Sequence, residues 1–473
     1  MDILLDTAIL SRLQFALTAM FHILWPVLTV GLSLFLVLLE ILWLKTRDPD
    51  YYRHARFWSK LLLLNFSVGV VSGIPLEFEF GTNWAPFSIA AGEFFGNILG
   101  FEGAMAFMLE AGFLGIMLFG WQRVPAGIHL FATTMVAFGA SLSAFWIMAA
   151  NGWMQTPAGV HFEDGIIVVD SYAAAIFNPA MPTSVLHMWL ACLETSLFVI
   201  GGISAWYLMN ERYSSFFLKS FRMAVLAAVI ITPLQILIGD ASGRVVAEQQ
   251  PAKLAAIEGH WQTNPPGEGA AWALLAWPDT KNQRNLWAVE IPNVLSLITT
   301  HSLTGRVAGL RDFPGRDQPP VLLPFYAFRL MVLAGVSLAM LMMWSVWRWR
   351  RGALQVHRIS DERALLRAWV VAIPVAYLTV EMGWLTREVG RQPWIIYGMM
   401  RTEAAASALP AGAVAATLLG YFLIYVLLLI VFMVFAARLI RRGPDLEIAL
   451  PAAASNTGVG TARVAGSSAS QRE

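Results

Sequence analysis

Nine apolar stretches recur from one end of this chain to the other, each approaching or exceeding the roughly 20 residues a helix needs to cross hydrocarbon. They fall at about residues 15–44, 61–80, 94–120, 128–150, 184–209, 221–239, 324–347, 368–386 and 413–437. Lipid offers no partner to a backbone amide, so each stretch is expected to be a helix. The fold class that follows is an all-α polytopic membrane protein with about nine transmembrane helices. The first stretch, about 30 residues with no small-residue cleavage pattern after a short apolar region, reads as a retained helix rather than a signal peptide. Composition agrees: 57% of the residues are hydrophobic and 13% are charged, against about 25% charged in soluble domains. The net charge of +1 leaves no basic excess for a phosphate backbone, so the expected surroundings are a lipid bilayer and not nucleic acid. Cys192 is the only cysteine, which excludes an internal disulfide and any Cys-rich metal cluster within the chain.

Short loops rich in Lys and Arg stay on the cytoplasmic side. Lys45, Arg47, Arg53, Arg56 and Lys60 follow the first stretch, Arg123 the third, Arg212 and Lys219 the fifth, Arg348 to Arg367 the seventh, and Arg438, Arg441 and Arg442 the ninth. The loop at 81–92 has no basic residue, and the loop at 151–183 carries only Glu163, Asp164 and Asp170. An odd number of spans then puts the N-terminus on the outer, periplasmic side and the C-terminus in the cytoplasm. The chain divides into spans one to six at 1–239, an outer loop at 240–323, spans seven to nine at 324–442, and a disordered cytoplasmic tail at 443–473. A connector of about 80 residues is too long to be idle, so the loop is expected to fold against the membrane face and line a site. Arg387, Arg391 and Arg401 stand on the disfavoured side, where a local anionic group would explain them.

Ionisable residues at span depth are costly and are functional hypotheses by default. His22, His187, Met331 and Glu381 lie on four different spans, all in the outer half. Haem iron bound between helices needs an axial side chain from each side, most often imidazole, and a thioether opposite raises the potential. Two readings are open for each: with 20 methionines in the chain, Met331 is either a ligand or a filler of apolar gaps, and His22 and His187 either bind iron or hydrogen-bond between helices. Glu102 and Glu110 are eight residues apart on the third span, a rise of about 12 Å and an offset of about 80° on an ideal helix. Gly103, Gly112 and Gly115 beside them would admit close neighbours. The pair reads either as steps of an inward proton path or as neutral acids joining helices. Glu40, at the inner end of the first span, can snorkel. Arg12 and Arg329 suit carboxylates, as of a haem propionate, or a quinone head. Trp394, in Gly390-Arg391-Gln392-Pro393-Trp394, is expected among the cofactor-binding residues beside Arg391, and taken alone it also reads as an interfacial belt residue.

These positions sit in a wider pattern: SRLQFALTAM at 11–20, FEFGTNW at 78–84, FEG at 101–103, WIMAANGWMQ at 146–155, KLAAIE at 253–258, FRLM at 328–331 and GRQPW at 390–394. Over residues 3–440 the chain resembles subunit I of the cytochrome bd-type quinol oxidases. The resemblance implies three haems in a nine-helix subunit, paired with a subunit II and often with a very small single-helix subunit, in the bacterial cytoplasmic membrane. It implies that His187 and Met331 are the axial ligands of a low-spin haem b, and that His22 and Glu381 serve a high-spin haem b and haem d. It also implies that Lys253 and Glu258 belong to the quinol site in the 240–323 loop, that Glu102 and Glu110 carry protons inward, and that Arg329 and Arg391 lie around the haems. The loop is short and lacks a charged insertion before the seventh span, resembling the cyanide-insensitive branch, some of whose members have a further haem b in place of haem d. The implied activity is oxidation of ubiquinol or menaquinol outside and reduction of dioxygen to water with protons taken from inside, electrogenic without pumping. Two other classes compete: a proton-coupled secondary transporter, which would want inverted repeats, and a haem b electron shuttle that does not reduce dioxygen.

Overall fold

The structure is a computed structural model, and it describes residues 6–451. The expected disordered tail lies, from residue 452, outside the described residues. Nine helices among the described residues are long and apolar enough to span a bilayer: α1 (Thr7–Thr46), α2 (Pro49–Thr82), α3 (Gly92–Phe119), α4 (Ala126–Gln155), α5 (Met181–Met209), α6 (Ser214–Gln249), α7 (Leu322–Arg350), α8 (Arg363–Val389) and α9 (Ala411–Arg442). Local chemistry sets their ends. The Asp6 side chain accepts from the amides of Ala8 at 2.8 Å and Ile9 at 3.2 Å, and Asp48 with Pro49 starts α2, as a cap residue and a first-turn proline do. Helix α6 continues past the expected boundary at 239 as far as Gln249. Polar residues carry it into water with an Asp240–Arg244 pair at 3.3 Å, and Pro251 then disfavours helix at Gln250. The outer loop therefore begins about one residue before Pro251 and ends at Leu322, where α7 starts.

Helices α1 and α5 form the centre. In their most apolar windows 67% and 78% of residues are buried, against 6% for α9. Small residues make this possible. A Cβ on Gly31 would lie 2.3 Å from Ser196 Oγ and 2.6 Å from the Cys192 carbonyl oxygen, and one on Gly201 would lie 2.3 Å from the Trp369 ring. Thus α5 touches α1 on one side and α8 on the other almost at backbone distance. Helices α5, α6, α7 and α8 pack each on the next, and α8 returns to α5, closing a four-helix ring; α1 packs on α2, α4, α5 and α9.

The basic loops gather at one end: Lys219 Nζ reaches Asp48 at 2.6 Å, Arg222 meets the Leu354 carbonyl, Arg212 donates to the Arg441 carbonyl at 3.0 Å, and Gln122 reaches Ala449. At the other end lie three two-stranded hairpins that an all-α reading did not name: β1 (Val160–Glu163) with β2 (Ile166–Val169), β3 (Trp272–Asp279) with β4 (Arg284–Ile291), and β5 (Trp394–Ile396) with β6 (Met400–Arg401). The first turns through Asp164-Gly165, both at positive φ, the geometry an Asp-Gly hairpin favours. The outer loop is folded, as expected. Its helix Pro251–Glu258 buries Ala252, Ala255 and Ala256 with Trp261 and Phe325 on one side, and Leu254 and Ile257 with Leu295 and Val307 on another.

Helix α3 departs from the ideal geometry assumed for Glu102 and Glu110, because residues 92–96 and 102–107 are wound as π-helix. The wider turn takes a smaller angular step per residue and narrows the offset between the two acids. Gly103, Gly112 and Gly115 meet no close neighbour among the described residues of this chain: a Cβ on any of them has nothing within 4 Å. The glycine that permits contact is Gly139 of α4, whose added Cβ would lie 3.0 Å from Glu110 Cβ.

Replacing Gly31 by Ala drives a methyl into backbone that cannot rotate away, so thermal unfolding should report a loss of about 1–3 kcal/mol. An unchanged melting temperature would mean that α1 and α5 are not held this closely.

Candidate functional site

The interior of the α5–α8 ring holds the first pair of predicted ligands. His187 lies six residues into α5, about 9 Å of rise, and Met331 nine residues into α7, about 14 Å, so the two are at similar depth on non-adjacent members of the ring. Glycines flank both. A Cβ on Gly239 of α6 would stand 3.1 Å from His187 Cε1, and one on Gly383 of α8 would stand 3.2 Å from Met331 Sδ. His187 Nδ1 is buried with no hydrogen-bond partner among the described residues.

His22, on α1, faces α2. Its Nδ1 is 3.0 Å from Ser72 Oγ, and a Cβ on Gly73 would lie 3.2 Å from its Cε1. Ser72 donates its own proton to the Gly69 carbonyl at 3.0 Å, so it accepts from His22 Nδ1–H, and Nε2 keeps a free lone pair. Glu381 is buried on α8 with neither carboxyl oxygen partnered among the described residues. One turn inward, Tyr377 packs with Val27 and Val30 of α1 and Ala140 of α4, which sets Glu381 where the ring meets the α1 group. Glu102 and Glu110 both face α4: Ser143 donates to Glu102 Oε1 at 2.7 Å, and Glu110 packs on Gly139 one turn further in, with Oε1 buried and unpartnered.

The outer loop corrects three expectations. Lys253 and Glu258, expected as one site, point to different sides of the loop helix. Lys253 is 3% exposed and donates to Gln155 Oε1 at 2.8 Å, Gln250 Oε1 at 3.2 Å and the Arg387 carbonyl at 2.9 Å. Burial holds its ammonium well below the usual lysine range, with Arg387 adding to the effect. The cleft beside it, lined by Gln155, Ser184, Gln250 and Arg387, offers about 10 Å³, room for about one water. Glu258 instead meets Arg329 Nη2 at 2.6 Å. Burial pushes the Glu258 carboxyl up, and Arg329 opposes the push. Arg329 is accordingly not free for a propionate: its remaining donors go to Ile257 and Ala273 carbonyls, and Phe325 lies 4.1 Å beneath its guanidinium. The reason is local: Gly259, at φ 59°, ends the loop helix directly over Phe325 and leaves Glu258 facing α7. Trp394 is no simple belt residue either, because Arg401 lies 4.4 Å over its ring while pairing with Asp317.

Arg391 lies just past the end of α8. It is 6% exposed and binds Glu388 at 2.6 Å, yet its Nε and Nη1 are buried without partners, and burial pulls the guanidinium below its ordinary value. Arg12 is exposed at the outer end of α1. Sequence reasoning missed Glu388, which also accepts from Asn151 at 2.9 Å, and the pairing of Arg387 Nε with Asn151 Oδ1 at 2.6 Å. The signal was present as Asn151 and Gln155 inside an otherwise apolar span.

Buried polar groups are nearly always hydrogen-bonded, so the bare Glu381 oxygens, His187 Nδ1 and Arg391 donors mark places completed by something besides this chain. An imidazole, a thioether and a carboxyl, each on its own helix and two of them backed by glycine, with a cation having spare donors nearby, match what a haem and its propionates require. The residues fit the group.

Comparison with known proteins points the same way. The family described as cytochrome bd terminal oxidase subunit I matches residues 10–444. Cytochrome bd ubiquinol oxidase subunit 1 of Bacillus subtilis (strain 168) is 33% identical, over 92% of this chain and 94% of its own. Cytochrome bd-II ubiquinol oxidase subunit 1 of Escherichia coli (strain K12) is 35% identical, over 93% and 97%. Among solved structures, a chain of the bd oxidase from Geobacillus thermodenitrificans superposes with a TM-score of 0.85 at 32% identity, covering 93% of this chain and 99% of that one.

Met331→Leu keeps the side-chain volume and removes the sulfur. With Met331 as a haem ligand the reduced-minus-oxidised visible spectrum of the purified protein should change, and an unaltered spectrum would strike Met331 from the candidate ligands.

Proposed function

The chain belongs to the cytochrome bd terminal oxidase subunit I family, and on that premise we propose that it is the haem-bearing subunit of a membrane quinol:dioxygen oxidoreductase, working with a subunit II in a bacterial cytoplasmic membrane. His187 and Met331 would hold a low-spin haem b; His22 and Glu381 would hold a high-spin haem b and either haem d or a further haem b. Bound haem would supply one-electron carriage and, where an iron keeps an open position, dioxygen reduction. Arg391, with two spare buried donors, would take a propionate.

The observation that carries the reading is the ion pair between Glu258 and Arg329, two residues from Met331 on the same helix. It puts a buried acid of the outer loop next to the helix that bears the thioether, so proton and electron can part at one place. Quinol releases two protons and two electrons. Glu258 accepts a proton as general base while Arg329 keeps it ionised in a dry setting. Lys253 holds the loop onto α4 and α8 and so positions Glu258 indirectly. On the inner side, Glu110 and then Glu102, joined to Ser143, would pass protons outward from the cytoplasm. Two quinols provide the four electrons that, with four protons, turn one dioxygen into two waters. Protons leaving outside and entering from inside separate charge at about 2.3 kcal/mol per charge per 100 mV, without a pump.

The test is dioxygen uptake driven by a short-chain quinol. Glu258→Gln should lower turnover by about a hundredfold or more while haem content stays normal, and undiminished turnover would move the quinol site elsewhere. Arg329→Gln removes the cation that holds the Glu258 carboxyl down, so the pH at which kcat/KM rises should move upward. A profile that stays in place, or moves to lower pH, would refute the pairing.

A further inference from the structure

Glu79, Glu194, His54 and Glu40 are buried ionisable groups outside the proposed haem, quinol and proton sites, and Glu40 pairs with a second buried titratable side chain. Glu40 of α1 is 2% exposed and does not snorkel: Thr133 Oγ1 donates to its Oε1 at 2.7 Å, and its Oε2 lies 2.9 Å from His129 Nδ1. The other ring nitrogen of His129 is 3.0 Å from the Met117 carbonyl. A carbonyl only accepts, so Nε2 carries a proton, and the short Nδ1–Oε2 contact then needs one more. That proton sits either on the carboxyl or on the imidazole. In both cases the pair is neutral and holds one transferable proton, and stripping it would leave a buried carboxylate facing a bare lone pair.

The surroundings give this proton an entrance and an exit. Trp121 lies against the His129 ring with centroids 4.0 Å apart; Arg56 stands 5.1 Å over that indole at the arginine-rich end. Tyr52 also packs on Trp121, and its hydroxyl is buried with no partner among the described residues. In the other direction, Thr133 and Gly139 are six residues apart on α4, about 9 Å, and Gly139 abuts Glu110, whose Oε1 is unpartnered.

We propose that Glu40 and His129 form a proton-loading station between the cytoplasmic face and Glu110. The proton shared by Oε2 and Nδ1 leaves through bound water toward Glu110, and one entering past the Tyr52 hydroxyl replaces it; no electron moves. The proposal rests on the reading of Glu110 as part of an inward path.

The experiment uses the purified full complex. Glu40→Gln keeps the size and polarity but cannot exchange a proton, so dioxygen uptake should fall about tenfold or more, while haem content and anaerobic reduction of the haems by quinol match wild type. Glu40→Asp should recover most of the rate. Redox-difference infrared spectra should contain a carboxylic C=O band that is lost in Glu40→Gln and displaced in Thr133→Val, which removes one hydrogen bond. Wild-type turnover in Glu40→Gln, equal losses in the Gln and Asp variants, or a band indifferent to Thr133→Val would each overturn the station; the last reading serves even if Glu40→Gln fails to assemble. Glu110→Gln separates the two levels. If it is slow while Glu40→Gln is normal, the station alone is wrong; if both are normal, the inward path is wrong.

Discussion

Hydrocarbon supplies no hydrogen-bond partner, and this constraint sorts the polar residues of the protein into two kinds. Some are completed by the chain. Lys253 spends three donors on carbonyl oxygens, Arg329 serves Glu258 and the loop backbone, and Glu40 is bound by His129 and Thr133. Others are left bare: both oxygens of Glu381, Nδ1 of His187, two nitrogens of Arg391 and Oε1 of Glu110. Leaving such groups unmade costs about 1–3 kcal/mol each or more when charged. Among the described residues the bare groups also include indole nitrogens such as those of Trp25, Trp58 and Trp153, so bareness supports the proposed haem and proton positions only where the side chain is itself a ligand or a titratable acid.

The same constraint explains why the ligands are borne where they are. Helices α1 and α5 are the best buried of the nine, because Gly31, Gly201 and Ser196 let neighbours approach at backbone distance. The glycines of α2, α6 and α8 let His22, His187 and Met331 pack directly on the neighbouring helix, an added Cβ standing 3.1 to 3.2 Å from each. Well-buried helices that bring a donor atom against a neighbour's glycine are a suitable frame for a bound cofactor.

Much of the architecture was legible in the residues. Length and apolarity located nine spans, basic residues separated the two ends, and depth alone drew His22, His187, Met331 and Glu381 together as candidates. What the sequence did not disclose are facts of orientation. Spacing along α3 assumed ideal turns, and the π-helical segments around Glu102 changed the relation to Glu110. The loop helix carries Lys253 and Glu258 five residues apart, and only the fold shows that this separation sends them to opposite sides. Arg329 looked available because its partner lies about seventy residues away in sequence. The Asp164-Gly165 hairpin, by contrast, had a local signature that could have been read directly.

The anchoring of the outer loop bears on how such proteins diversify. Its attachments include Lys253, Glu258 and the β3 backbone, whereas residues 265–267 form an exposed turn closed by the Glu268 amide on the Pro265 carbonyl. Extra residues inserted in that stretch would hang in water and leave every anchor in register. Lineages can therefore lengthen or trim this segment, acquiring new surface for regulation or docking, while the contacts of Lys253 and Glu258 continue undisturbed.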